Sequence, residues 1–547
     1  MKEIDQEEIS RRRGIYFQSF GIYGGISGLY DYGPFGSLIK DRIVNIWKET
    51  LFREGNVAEF DGTALTHIQV LKSSGHYDRF FDYSVQCEQC GAKYRADELL
   101  EKYGIEVKLD PRWLDEKITE MGLKCERCGG KLGEVKVHKL MFPVEQGSEL
   151  DPLYLRPETA QGIFINFKEY YRFFREKLPF AVIQTGRGYR NEISPRRALY
   201  RLREFNMMEC ESFFDPEDEM WPSEPDSTLN VRLSTRDGRE IITTPMDAYR
   251  DGIIESQPIA YFIGLGSKFF RRIGIDGEKL RFRQHRKDEL SHYSSDTWDA
   301  EADTSIGWVE IAGIAHRGTY DVSNHIKFSG KDLYGQRIIP KKKMIKKNKV
   351  IDYGKIRKDF RGNIEKVISA IESGNDSLNL NGTVVKLQDY YTINEEEVTV
   401  DRENFIPSVI EPSFGLDRIL FSILDHNFSV RDDTGYIYLR IPSEISPYDV
   451  AVLPLMNKDN LDNRGREIFR HLLDVGLKVI YDESGTIGKR YARYDEVGVT
   501  YCVTIDYESL DKGDVTLRHR DTMKQIRINS DDIEKYVRVN PWNGRDS

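Results

Sequence analysis

The chain has 547 residues, 39% of them hydrophobic and 12% aromatic, enough to build several cores, which excludes disorder as its default state. Its 80 basic and 90 acidic side chains leave a formal charge of -10, which excludes a uniformly basic nucleic-acid coat but leaves room for local positive patches. No run of about 18 apolar residues occurs, and the N-terminal segment mixes acids with Arg11, Arg12 and Arg13, so a cytoplasmic protein with no membrane partner is expected.

Ile39, Ile43, Ile46, Trp47 and Leu51 recur near the helical period after the breaker run Gly33, Pro34, Phe35, Gly36, which predicts an amphipathic helix over 36–53. An apolar run, AVIQTG, and the segment REFNMMECESFF predict two strands within 180–214, joined by a long charged loop. Polar stretches at about 215–300 and 320–400 are expected to be insertions, the second with six lysines between 341 and 349 and partly mobile. After the linker IPSEISPYD, the runs DVAVLPL, LKVIYD and VTYCVTID alternate with helical segments at 460–475 and 486–497, and a hairpin follows at 515–528. A separate α/β domain over 446–547 is expected, with the larger domain spanning 1–440.

Four of the six cysteines form two C-x2-C pairs, Cys87 with Cys90 and Cys125 with Cys128, with 34 residues between the inner members. Two such knuckles present four thiolates to a tetrahedral ion, a structural Zn2+ without an open position, in an insert of about 85–140. Gly91 and Gly129 suit the tight turn after each pair. Cys210 and Cys502 lie in apolar strand-like runs and are expected to pack.

Arg187, Arg190, Arg196, Arg197, Arg201 and Arg203 crowd beside Glu192, Glu204, Glu209 and Glu211 in one segment. Guanidinium forks match phosphate oxygens, while acids hold amines or Mg2+. A solvated, salt-bridged hairpin has the same composition.

The segment with Arg190, Asn191 and Glu192 resembles motif 2 of class II aminoacyl-tRNA synthetases, the region 30–53 resembles motif 1, and EPSFGLDRIL at 411–420 resembles motif 3. GGISGLYDYGPFG, LRPETAQGIFINF and WVEIAGIAHRGTYD narrow the likeness to the glycyl-tRNA synthetases, over nearly the whole chain. Class II synthetases for alanine, serine or proline share the scaffold but need other pocket residues. Catalytically inactive accessory modules share the fold but lack the Arg190, Glu192, Glu310 and Arg418 set.

The resemblance implies an α+β core with a mostly antiparallel sheet and helices, plus a C-terminal α/β anticodon-binding domain. It further implies glycine, ATP and Mg2+ as reactants, tRNA(Gly) as acceptor, and a homodimer built through motif 1. Arg190, Glu310 and Arg418 would be catalytic. Arg190, Asn191, Glu192, Tyr200, Arg201, Leu202, Arg203, Glu204, Phe205, Glu310, Ile311, Gly415 and Arg418 would form the ATP set. Arg79, Glu158, Phe205, Glu209, Glu411, Ser413 and Gly415 would hold glycine. In the C-terminal domain Arg490, Tyr491, Arg493, Arg518 and Arg520 are candidates for RNA contact, as is the lysine run 341–349.

Overall fold

The protein is described by a computed structural model for residues 5–145, 152–195, 198–218, 223–287, 289, 294–380, 383–432 and 434–539. Two units are distinguished, residues up to 333 together with 406 onward, and residues 334–405.

The first unit is organised by a nine-stranded sheet whose strands, in chain order, are β1 (Val57–Glu59), β2 (Phe180–Tyr189), β3 (Glu204–Phe214), β4 (Val231–Ser234), β5 (Glu240–Thr243), β6 (Leu280–Gln284), β7 (Asp296–Thr304), β8 (Gly307–Gly318) and β9 (Ser408–Gly415). They lie in the order β5-β4-β6-β7-β8-β9-β3-β2-β1. Only the β4/β6 and β1/β2 pairs are parallel, so the expected mostly antiparallel sheet is what forms. Residues 231–304 supply four of its strands, and Leu233, Phe282 and Trp298 are buried in its core. This corrects the expectation that 215–300 is a polar insert: many of its charged side chains pair across the strands of the sheet, as Arg281 does with Glu301 and Arg283 with Asp299.

Helix α1 (Pro34–Phe52) has proline in its first turn and buries Ile39, Ile43, Ile46, Trp47 and Leu51, the stripe read from the sequence. Trp47 meets Phe414 of β9 edge to face, with ring centroids 6.0 Å apart. Truncating so buried an indole costs about 3–5 kcal/mol. Helices α2 (Gln257–Arg272) and α3 (Leu416–Asn427) contribute to the same core.

The cysteine insert has its own core of Val85, Tyr94, Leu99, Leu100, Leu114 and Ile118 under a three-stranded sheet of Phe81–Gln86, Lys93–Arg95 and Lys136–Lys139. The C-terminal domain has strands β10 (Val450–Pro454), β11 (Val479–Tyr481), β12 (Tyr501–Ile505), β13 (Asp514–His519) and β14 (Gln525–Asn529), with helices α4 (Leu461–Asp474) and α5 (Ile487–Glu496). Its order is β11-β10-β12-β13-β14, the first three parallel and the last two antiparallel additions. Cys210 and Cys502 are buried, as expected.

The second unit corrects the reading of 320–400 as one polar insert. Residues 320–329 are a helix of the first unit, and 335–351 pair with 391–405 in a long antiparallel ribbon. The lysine run lies on one strand of that ribbon opposite an acidic run, with Lys343–Glu397 and Lys347–Glu395 ion pairs of 2.9 Å. Part of its charge is thus met by its own partner strand. The ribbon carries a small core of Ile356, Val367, Ile371 and Leu387.

Candidate active site

A cavity of about 360 Å³ opens on the sheet where β3, β8 and β9 run side by side, within the size range of small-molecule sites. Phe205 and Met207 come from β3, Glu310 to Gly313 from β8, and Ser413 and Gly415 from β9. Arg418 comes from the first turn of α3, and Arg190, Glu192, Tyr200, Arg201 and Leu202 from the β2–β3 loop. Adjacent antiparallel strands bring these distant segments into register: Glu209 faces Ser413 on β9, and Ser413 faces Gly313 on β8.

Two guanidinium groups are fixed at the rim. Arg190 lies between the rings of Phe80 and Phe205, 5.3 and 5.1 Å from their centroids, and donates to the Pro157 carbonyl at 3.3 Å. Phe205 lies across Gly188, where a Cβ would sit 2.7 Å from the ring, so only glycine fits opposite it. Arg418 donates to the carbonyls of Tyr200 and Glu310 and to the Glu310 carboxylate, each at 3.1 Å. The Arg418 guanidinium also lies over the Tyr200 ring, 5.2 Å from its centroid, and the side chain lines the cavity. Glu310 is half exposed.

Beneath lies an acidic floor. Glu209 accepts hydrogen bonds from the Thr159 N–H (2.9 Å), the Thr159 hydroxyl and the Ser413 hydroxyl (3.2 Å). Glu411 accepts from Arg317 at 2.6 Å, and Arg317 forks onto Asp321 at 2.7 and 3.0 Å. Glu158 lies 3.3 Å from His76 and accepts from Gln161 at 2.9 Å. Glu211 is fully buried, and neither carboxyl oxygen has a hydrogen-bond partner among the described residues.

Burial and the neighbouring Glu411 and Glu158 push Glu209 up to about 8. Burial raises Glu411 as well, against the pull of Arg317, and holds Glu211 well above the carboxylate range. Glu158 goes the other way: burial opposes ionisation, but His76 and Arg317 pull it down. Five acidic side chains thus converge around Arg317 and His76, more carboxyl groups than these two bases can pair.

The cavity therefore gathers Arg190, Glu192, Tyr200, Arg201, Leu202, Phe205, Glu310, Ile311, Ser413, Gly415 and Arg418, while the buried Glu209 and Glu411 and the partly buried Glu158 lie behind it, joined to its lining through the Ser413–Glu209 hydrogen bond. It does not gather four others. Asn191 is docked on the cysteine insert through its backbone, its N–H on the Leu140 carbonyl and its carbonyl on His138, both at 2.7 Å. Arg203 holds the Glu192 carbonyl at 3.2 Å, Glu204 pairs with Arg187, and Arg79 is exposed on the short helix His76–Arg79. The segment around Arg79 contributes His76 and Phe80 instead. Arg196 and Arg197 lie outside the described residues.

Reading the sequence missed Arg95, Arg317, Thr159 and Gln161. Arg317 had a signal, since β8 alternation puts it on the face of Gly313 and Ala315. Arg95 lines the cavity from the cysteine insert, and only its place beside the metal-type spacing marked it.

The four cysteine sulfurs lie within 4.8 Å of one another, with Cys87–Cys128 at 3.6 Å and Cys90–Cys125 at 3.5 Å. A tetrahedral zinc with bonds of about 2.3 Å requires sulfur separations of about 3.8 Å, so the donor set fits. Gly91 and Gly129 both take the left-handed backbone the knuckle turns need, with φ of 69° and 71°.

The C-terminal candidates for RNA contact are mostly spent inside the domain, which corrects that reading. Arg490 is 1% exposed and donates to the carbonyls of Pro454, Asp482 and Leu455. Arg518 forks onto Asp495 at 2.8 and 2.9 Å, and Arg520 holds the carbonyls of Gly498 and Ile441. Tyr491 is bonded to Thr504, and Arg493 is paired with Asp482.

Comparison with known proteins agrees with this geometry. Residues 142–228 match the tRNA synthetase class II core domain (G, H, P, S and T), and residues 449–540 the anticodon binding domain. A prolyl-tRNA synthetase from Cryptosporidium parvum, solved with L-proline and AMP, superposes with a TM-score of 0.52 at 13% identity, covering 98% of this chain and 74% of that one. That likeness speaks for the fold alone. Glycine–tRNA ligases are far more similar in sequence: 42% identical in Archaeoglobus fulgidus over 95% of this chain and 94% of the relative, and 40% in Pyrococcus horikoshii over 97% of each. With such identity along nearly its entire length, and the class II sheet, arginine rim and acidic floor in place, the chain belongs to the glycine–tRNA ligase family.

Proposed function

We infer that this cavity is where the chain, as a glycine–tRNA ligase, activates glycine with ATP to glycyl-adenylate and pyrophosphate before passing glycine to the 3′ end of tRNA(Gly). The observation that carries the assignment is the continuity of an arginine rim with a buried acidic floor, joined at Ser413. The glycine carboxylate must approach the α-phosphorus of ATP although both are anionic. Arg190, held by Phe80 and Phe205, neutralises and aligns the two groups, and Arg418 takes the far end of the polyphosphate.

Glu192 and the face of Phe205 serve the adenine, with Tyr200, Arg201, Leu202, Ile311 and Gly415 lining its pocket. Glu310 supplies an exposed carboxylate suited to Mg2+, which would offset polyphosphate charge when bound. Glu158, Glu209, Glu411 and Ser413 receive the glycine ammonium. Because no proteinogenic amino acid is smaller than glycine, a floor closed to a methyl group excludes competitors without a separate editing site. No side chain needs to form a covalent intermediate, since the mixed anhydride of the adenylate carries the activation.

A Glu209→Gln chain separates this assignment from a merely structural carboxyl. It is expected to raise the glycine KM at least about tenfold with the ATP KM unchanged. Equal changes in both would contradict the role.

Cys87, Cys90, Cys125 and Cys128 would hold zinc as a closed structural site, setting the fold of the insert. Elemental analysis should find about one zinc per chain, lost in Cys125→Ser; a metal-free yet unaltered native chain would contradict this. The exposed apolar side chains of Phe20, Ile22, Tyr23 and Ile26, on the segment before α1, support a homodimer. No helix among the described residues is long and apolar enough to cross a membrane; a cytoplasmic location is the one that suits a glycine–tRNA ligase, whose tRNA substrate serves translation.

A further inference from the structure

The strand Lys93–Arg95 of the cysteine insert has two faces with different neighbours. Tyr94 is buried, and its hydroxyl shares a hydrogen bond with the Cys125 sulfur at 3.1 Å while accepting the Arg127 N–H at 3.2 Å. Arg95, the next residue, points to the opposite side, as alternation in a strand requires, and lines the cavity assigned to ATP. Asp97 grips it at 2.5 and 3.2 Å, with Asp82 and Glu98 at 3.5 and 3.6 Å.

Glu98 also accepts from Arg201 of the β2–β3 loop at 2.8 Å, and the Lys93 carbonyl accepts from the Ser194 hydroxyl of the same loop. The insert therefore touches the nucleotide pocket through a guanidinium and an ion pair, and the loop that borders it through a backbone acceptor. All three lie within six residues of the chain, and the tyrosine beside the cysteine cluster sits among them.

We propose that occupancy of the four-cysteine site is thermodynamically coupled to nucleotide binding, with Tyr94 as the positioning residue that transmits the state of the cluster to Arg95 and the Glu98–Arg201 pair. The proposal rests on the readings of the cluster as a metal site and of the cavity as the ATP site. With the four sulfurs held together, the Tyr94 hydroxyl has a fixed acceptor and the strand is pinned at its centre. When the sulfurs separate, that anchor goes, and a shift of the strand carries Arg95 and the Lys93 carbonyl away from the pocket. Displacements of about 1 Å at a charged group are enough to cost binding and rate. Coupling of this kind is reciprocal: whatever factor the metal adds to ATP affinity, ATP adds to metal affinity.

The test uses the full chain. ATP affinity is measured by calorimetry on zinc-loaded and chelator-stripped protein, and zinc affinity by competition with a chromophoric chelator, with and without saturating ATP. Metal removal should weaken ATP binding roughly tenfold, and ATP should tighten zinc binding by the same factor. Tyr94→Phe preserves the ring packing and should retain zinc, while both factors shrink below about twofold. Equal ATP affinities with and without zinc, or full coupling in Tyr94→Phe, would overturn the proposal. A chain that binds ATP but no zinc would overturn the metal reading, and one that binds zinc but no ATP the cavity reading; either removes this proposal with it.

Discussion

The arginines of the catalytic sheet and those of the C-terminal domain look alike as sequence but have opposite fates. Arg190 and Arg418 are held by one to three internal acceptors each and line a cavity. Arg490, Arg518 and Arg520 are buried, most of their donors absorbed by backbone carbonyls and by acids such as Asp495. A guanidinium has five N–H donors, so what decides its role is how many of them the fold has already used. Arginine density alone does not measure that.

The comparison can be broken most sharply at Arg418. Replacing it with alanine should lower glycine-dependent ATP–pyrophosphate exchange by about 10²–10³, or about 3–4 kcal/mol of transition-state stabilisation, with the melting temperature nearly unchanged. A chain that keeps full exchange, or that unfolds, would place Arg418 with the structural set. The converse variant, Arg490→Ala, leaves three carbonyls without their donor and should cost about 2–4 kcal/mol of stability. Exchange per folded molecule should be unaffected. Chemical denaturation read beside exchange activity separates the two outcomes, and a stable Arg490→Ala chain with weakened tRNA binding would restore the RNA-contact reading.

The acidic floor sharpens the same contrast, because there burial acts on the opposite charge. With Glu209 pushed up to about 8, chiefly by burial and then by Glu411 and Glu158, the carboxyl is protonated below that pH and must ionise to receive an ammonium. The glycine KM should therefore fall as pH rises from 6 to 8, by at most about tenfold per pH unit, and level off above 8. A KM flat across this range would mean that Glu209 is already ionised or does not meet the ligand.

Much of this was legible in the residues. The stripe on α1, the two strands of 180–214, the alternation of the C-terminal domain and the spacing of the cysteines all depend on local period, which the sequence displays directly. The floor was partly legible: Glu209 and Glu411 were found, but Arg317, which ties Glu411 to Asp321, and Gln161, which bridges Glu158 and Asp321, appear only once strands and helices from distant segments meet. The misreadings have a common cause. Residues 215–300 look polar because charged side chains of their strands pair with one another across the sheet, and the lysine run looks solvated because its acidic partner strand lies about fifty residues away in sequence. Arg79 and Arg95 differ in the same way, one exposed and one in the cavity, although each sits beside an aromatic residue.

On the proposed function, one cavity binds ATP at its arginine rim and glycine, alone among amino acids, at its acidic floor. Amino-acid-dependent ATP–pyrophosphate exchange across the proteinogenic amino acids, with purified full-length protein and Mg2+, tests it most directly. Exchange with glycine and none above background with alanine or serine is the predicted result. Comparable exchange with alanine or serine, or none with glycine from folded protein, would contradict it.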